Sequence, residues 1–194
     1  MMHHRTAHIN LFLCGLIIAL LTMDTLLAAP PERRVFENDF LKLTVTPRTA
    51  QQMAAFYEGR GFPAEAIKLT RTACFFTIGI HNKSRDIIWL ETANWQFQTA
   101  SGPLKRITRD EWQQRWQQIG LALPYQSTFR WTLLPAELDF QPDEHEGGNI
   151  TLSRTDKPFN LHASFATGKD KQKPRIDVRI ANLRCGENKP GKKS

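Results

Sequence analysis

Long apolar runs are scarce in this chain of 194 residues, and cysteine is scarcer still, with three in all. The longest apolar stretch, Leu11–Leu21 (LFLCGLIIALL), has eleven residues counting Gly15. A membrane-spanning helix needs about 20. Eleven fits the apolar core of a secretory signal peptide, with Arg5 before it and a cleavage region at Leu26–Ala29, just ahead of Pro30. The small-residue pattern there is imperfect, because Leu stands three residues before either candidate cut. Residues 1–29 therefore read as a signal peptide and the protein as exported, periplasmic or extracellular. The alternative is an uncleaved segment anchoring it to the inner membrane.

Export changes the cysteine count. Cys14 leaves with the signal; a lipid-anchor role for it fits poorly, since bulky Leu13 precedes it. Cys74 and Cys185 remain, and two cysteines in an oxidising compartment most simply form one disulfide. Its loop of roughly 110 residues is worth up to ~4.7 kcal/mol on chain-entropy grounds. No CxxC spacing supports the rival reading, a thiol pair doing redox or metal chemistry.

Catalytic motifs are missing as well. There is no GxSxG elbow, no HExxH and no Gly-rich phosphate loop. Beyond the signal only His81, His145 and His162 remain as imidazole bases. The expectation is a non-enzymatic protein without a cofactor, with an unrecognised hydrolase as the trailing alternative.

Charge of one sign is also lacking over most of the chain. Residues 30–168 carry sixteen Lys/Arg against fifteen Asp/Glu, whereas 169–194 carry nine against three. The basicity belongs to the C-terminus, where residues 187–194 (ENKPGKKS) read as a disordered tail. Such a tail can touch an anionic envelope surface. Nucleic acid is not an expected partner for an exported protein, and membrane contact is expected only through the tail or an uncleaved signal.

What is present is core material: 41% apolar residues, with five Trp and twelve Phe. Leu41, Leu43 and Val45 alternate as a strand, and Thr46-Pro47 reads as the start of a helix carrying Ala50, Met53, Ala54 and Tyr57. Pro63-Ala-Glu-Ala can begin a short turn. Ala73–His81 alternates with Cys74 on the apolar side, and Asn82–Arg85 is a polar turn. Ile87–Glu91 and Trp95–Thr99 are further strands. Thr108 and Glu111 form a capping box for a helix with Trp112, Trp116 and Ile119 on one face. Its default reading lays that stripe on a sheet; gripping a partner is the alternative.

From Ser127 on, the pattern predicts only strands: Phe129, Trp131 and Leu133 alternate, as do Ile150/Leu152, Phe159–Phe165 and Ile176–Ile180. A bulge near Ala181–Leu183 is needed if Cys185 is to reach the face of Ile180. About eight strands and two connecting helices make residues 30–186 one β-sandwich domain.

The segment LLPAELDFQPDEHEGGNITLSR is similar to the late part of immunoglobulin-like modules in exported bacterial proteins. Ile80-His81-Asn82-Lys83-Ser84, a strand ending in Asn before a polar turn, fits the same pattern. The resemblance covers about half the mature chain and departs from the family in its two helices and its cysteine placement. It implies an immunoglobulin-like antiparallel β-sandwich and no activity.

Three features remain as candidate sites. His145, flanked by Glu144 and Glu146, can ligate a metal ion with help from His81 or His162, which would make a metal-binding or metal-delivery protein. Neighbours on an extended chain point to opposite sides, so no more than two of Asp143–Glu146 can converge. The other reading of Asp139–Leu152 is a hairpin-like turn, bent at its glycines and solvated by its acids. Phe56, Tyr57, Arg60 and Phe62 (FYEGRGF) have the composition of a partner-binding knob, although Arg60 can instead cap a helix end. Asn82-Lys83-Ser84 and Asn149-Ile150-Thr151 are N-glycosylation sequons, relevant only in a eukaryotic source. The expected partner is a protein or an envelope component.

Overall fold

The structure, a computed structural model, describes residues 32–187. The expected signal peptide and the tail beyond 187 lie outside the described residues.

Two antiparallel sheets face each other. The first runs in the order β1 (Arg34–Glu37), β2 (Leu41–Arg48), β3 (Ala73–Asn82), β9 (His145–Ser153) and β7 (Arg106–Ile107). The second runs β6 (Gly102–Pro103), β5 (Gln96–Thr99), β10 (Phe159–Thr167), β4 (Ile88–Glu91) and β8 (Glu137–Phe140), with β11 (Lys173–Leu183) along the other side of β10. Period-two alternation puts Leu41, Leu43, Val45, Cys74, Phe76 and Ile78 on the inner face of the first sheet. Phe159, Leu161, Ala163 and Phe165 answer them from β10. The expected antiparallel β-sandwich is what the chain forms.

A helical layer covers part of the outer face of the first sheet, giving a second apolar cluster beside the sandwich core. It consists of α1 (Ala50–Glu58), α2 (Ala64–Thr70), α3 (Arg109–Gln118) and α4 (Leu123–Thr132), four helices where two were expected. Phe75 and Thr151 reach outward from the sheet to meet it. The Trp112 indole donates to Thr151 Oγ1 at 2.8 Å, and the Trp112 and Trp116 rings stack 5.0 Å apart. The Thr108/Glu111 capping box is present as expected, with both reciprocal bonds made.

Several expectations are corrected. Phe129, Trp131 and Leu133 do not lie on a strand: Phe129 sits in α4, buried against Trp112, Trp116 and Tyr57, while Trp131 is 85% exposed. Their alternation was accidental. Pro124 lies in the first turn of α4, where its missing N–H has no helical partner.

Helix α1 starts later than Thr46. Thr49 is its N-cap, in a capping box with Gln52, and Thr46 and Pro47 remain in β2 opposite Thr77 and Phe76. Strand β1 reaches only as far as Val45, so β2 is an edge at Pro47 and tolerates a residue with no N–H.

Cys74 and Cys185 are joined by a disulfide across 111 positions. The bulge it needs is there. Phe159 opposes Leu183 while Leu161 opposes Ile180, so β11 holds one residue more, and Asn182 takes φ 57°. Among the described residues no helix is long and apolar enough to cross a membrane.

Candidate functional site

The acidic segment is not a hairpin. Strand β8 pairs with β4 in the second sheet, and β9 pairs with β3 in the first, so residues 141–144 carry the chain between sheets. The bend comes from Asp143 at φ 64°, not from the glycines. Gly147 and Gly148 lie within β9 because of close approach: a Cβ would fall 2.7 Å from the Ile78 carbonyl oxygen and 2.6 Å from the Leu134 nitrogen.

One side chain organises this crossover. Asn82 is fully buried, and its Nδ2 donates to the carbonyls of Asp86 (2.7 Å), Phe140 (2.9 Å) and Gln141 (3.1 Å). Its Oδ1 accepts from the backbone N–H and hydroxyl of Ser84. Its own backbone N–H donates to the Glu144 carbonyl, and its carbonyl accepts from the Asp143 N–H at 2.9 Å.

The Asn82 N–H and carbonyl thus both turn toward the β9 side, while the Lys83 N–H bonds Phe40 on the β2 side. That makes the neighbouring pair His81–His145 the close, non-hydrogen-bonded kind. The two imidazoles stack, centroids 3.6 Å apart and planes within 20°. Asp143 Oδ1 lies 2.9 Å from His81 Nε2. His81, Asp143 and His145 together offer three ligand atoms within 4.8 Å of one another.

Glu144 and Glu146 do not join His145 there. Strand alternation sends them to the opposite face, and the Glu144 carboxylate instead accepts from the Gln141 N–H at 2.6 Å. His162 lies on β10 in the other sheet, 3.6 Å from Asp177. Sequence reasoning named His81 as a helper. Asp143 stood there only as one of four charged neighbours, behind Glu144 and Glu146, because its left-handed bend has no signal beyond an aspartate in a turn.

A second feature was not visible in sequence. Where α3 and α4 lean on β9, two adjoining cavities of ≈ 330 and ≈ 340 Å³ share Arg109, Arg130 and Leu133 as walls. Arg106 lines the second of them. Arg106 donates to the Thr92 hydroxyl and Arg109 to the Leu133 carbonyl. Arg130 stands 4.0 Å from Asp110.

Burial pulls the pKa of Arg106 below its ordinary value, opposed by Glu111. It does the same to Arg109, helped by the like charge of Arg130. Neither shift uncharges a guanidinium, so Arg106 and Arg109 stay cationic at neutral pH. Among the described residues neither Nε of Arg109 nor Nε1 of Trp116 has a hydrogen-bond partner, though both atoms are buried and both residues line the first cavity. Two unanswered donors beside three cations suit a ligand that brings acceptor oxygens with negative charge.

The FYEGRGF segment divides. Tyr57 and Phe62 are buried in the helical core, with Tyr57 stacked on Phe129 at 5.1 Å and its hydroxyl 2.8 Å from that of Thr132. Burial raises the Tyr57 pKa. Arg60 covers the Phe56 ring at 3.5 Å and donates to the Phe56 carbonyl, the helix-end bond weighed from sequence. Residues that fill a core are not free to form a knob.

The fold and these sites define a class: an antiparallel β-sandwich stapled by one disulfide and roofed on one face by helices. No protein-family model matches the chain, and no curated protein matches it. It is similar to a solved structure of a candidate lipoprotein from Bacillus subtilis subsp. subtilis str. 168. Identity is 10% and the TM-score 0.44, over 78% of this chain and 39% of that one. The chain thus spans well under half of that protein, and a likeness this remote bears on neither function nor location.

Proposed function

We propose that this chain is an exported, non-enzymatic binding protein of the cell envelope, and that its binding site is the arginine-walled cleft between α3, α4 and β9. The observation that carries this reading is the convergence of arginines on two adjoining cavities, Arg109 and Arg130 lining both and Arg106 the second, beside two donors, Arg109 Nε and Trp116 Nε1, that no protein acceptor answers. Buried polar groups are nearly always hydrogen-bonded, and a small turn of either side chain would bring its donor to an acceptor in the cavity. The chemistry is that of a carboxylate or phosphate group displayed by a protein or envelope component. Export rests on the signal-like segment Leu11–Leu21, and the disulfide agrees with an oxidising compartment.

Trp112 and Trp116 stack beside the cleft and give an intrinsic readout. Titration with inorganic phosphate and with citrate is expected to change their fluorescence saturably for at least one of the two. A charge-assisted hydrogen bond is worth about 1.5–3 kcal/mol, so Arg109→Ala should weaken that response by about 10-fold or more. Absence of a saturable response to either anion at about 10 mM, where a site with a millimolar Kd is mostly filled, overturns the cleft assignment. N-terminal sequencing of exported protein tests the location, and an intact Met1 in the soluble fraction of the cell interior would contradict it.

A further inference from the structure

We propose that His81, Asp143 and His145 bind one divalent transition-metal ion, with Cu(II) preferred, on the outer face of the first sheet at the end the helices leave open. The site is separate from the arginine cleft and does not depend on it.

Donor spacing is the first argument. Borderline metals hold imidazole nitrogen at about 2.0–2.1 Å and carboxylate oxygen at about 2.0–2.2 Å. Two such donors subtending a right angle lie about 2.9 Å apart, and about 3.3 Å apart at a tetrahedral angle. His81 Nε2 and Asp143 Oδ1 are separated by 2.9 Å. The two atoms share a hydrogen bond at that distance, which an ion would replace with little movement of either; preference for Cu(II) rests on the donor set. The His145 ring is stacked on that of His81 at 3.6 Å, so the in-plane lone pairs of the two rings run side by side; the exposed His145 ring turns about its side-chain bonds to aim a nitrogen at an ion held by His81 and Asp143. All three ligand atoms fall within 4.8 Å of one another, and opposite donors of such an ion would be about 4 Å apart.

The donor set is the second argument. Two imidazoles and one carboxylate select against calcium and magnesium, which take oxygen ligands, and copper heads the divalent affinity order. The Asp143 side chain is 90% exposed, so water can complete the coordination. The third argument is rigidity. The close pairing of His81 with His145 is set by the ladder, and the Asp143 N–H is fixed to the carbonyl of buried Asn82. A site held by a sheet loses little entropy on binding. Lys42 on β2 stands opposite His81 in the ladder, and its ammonium is engaged 2.9 Å from Glu37.

The test is calorimetric titration of the purified protein with Cu²⁺, Zn²⁺ and Ca²⁺, with electron paramagnetic resonance on the copper form. One equivalent of Cu²⁺ is expected, with hyperfine structure from two nitrogens, weaker Zn²⁺ uptake and no Ca²⁺ uptake. His81→Ala and His145→Ala should each reduce the nitrogen count to one. Asp143→Asn should weaken binding about 10–100-fold, while Glu144→Gln and Glu146→Gln leave it unchanged. Replacing His3, His4 and His8 together controls for the N-terminal histidines and should leave the two-nitrogen signal intact. Circular dichroism of every variant separates lost ligation from lost folding. The proposal is overturned if no stoichiometric Cu²⁺ binds, or if binding survives undiminished in a folded His81→Ala/His145→Ala variant. Loss of the signal with the three N-terminal histidines overturns it equally. The cleft variant Arg109→Ala should bind Cu²⁺ as the wild type does, so failure of either site is read separately.

Discussion

Replacing both Cys74 and Cys185 with Ala should lower stability by several kcal/mol while leaving the native sheets in place. The disulfide closes a loop spanning 111 positions. The chain-entropy relation ΔS ≈ −2.1 − 1.5R ln n gives about 4.8 kcal/mol at 25 °C for a loop of this size. Both sulfurs lie in the sandwich core, Cys74 beside Leu152 on the paired strand, so Ala also vacates a little packed volume. Ser would add a buried hydroxyl and confuse the comparison.

The crosslink acts mainly on the unfolded chain, which fixes the form of the result. The Ala/Ala protein should unfold at lower urea with a larger m-value, because its unfolded state exposes more surface. For a domain of this size each kcal/mol shifts Tm by about 2–4 °C, so a fall of about 10–20 °C is expected in scanning calorimetry. Reduction of the wild type with dithiothreitol under mild denaturation should reproduce it. A change of less than about 1 kcal/mol, outside the usual 2–5 kcal/mol for a native disulfide, with an unchanged m-value would refute the reasoning.

Phe129 and Trp131, two positions apart on α4, should respond in opposite ways. Phe129→Ala opens a cavity among Trp112, Trp116 and Tyr57 and should cost about 3–5 kcal/mol. Trp131→Gln, at an 85% exposed position, should stay within about 0.5 kcal/mol; equal losses in urea titration would mean the segment is a strand after all. Glu37 sits between Lys83 at 2.8 Å and Lys42 at 2.9 Å, and hydrogen bonds from both ammonium groups lower its pKa to about 2. A carboxyl lowered on folding stabilises the native state above its ordinary pKa, and that contribution fades as pH falls from about 4.5 to about 2. The Tm difference between wild type and Glu37→Gln should therefore be flat near neutrality and vanish by the bottom of that range. A pH-independent difference contradicts this. Asn82→Ala removes a donor shared by the carbonyls of Asp86, Phe140 and Gln141; Asp86 keeps the Ser84 hydroxyl and Gln141 the Glu144 N–H, so the expected cost is about 1–3 kcal/mol, that of one unsatisfied buried group. Faster amide exchange across residues 140–145 is the accompanying sign.

Some features of this protein were settled by local order along the chain. Alternation of Leu41, Leu43 and Val45, of Phe159 through Phe165, and of Ile176 through Ile180 determined the strands, because a pleated strand with one buried face admits only period two. Thr108 and Glu111 determined the start of α3, because capping is an interaction between residues three apart. With only Cys74 and Cys185 beyond the signal-like segment, pairing needed no coordinates, and the bulge near Asn182 followed from which face Cys185 had to reach. Other features were decided only when distant segments met. Phe129 alternates with Trp131 as a strand would, and only the aromatic pocket made by Tyr57, Trp112 and Trp116 draws it into a helix. The charge around His145 was plain in the sequence, but its neighbours in the chain point away from it. Its partners His81 and Asp143 arrive through strand register and one left-handed residue, and the arginine cleft through the docking of α4 onto β9. Local patterns record which face a residue presents; what stands opposite that face depends on pairings between residues tens of positions apart, and only the folded chain makes those.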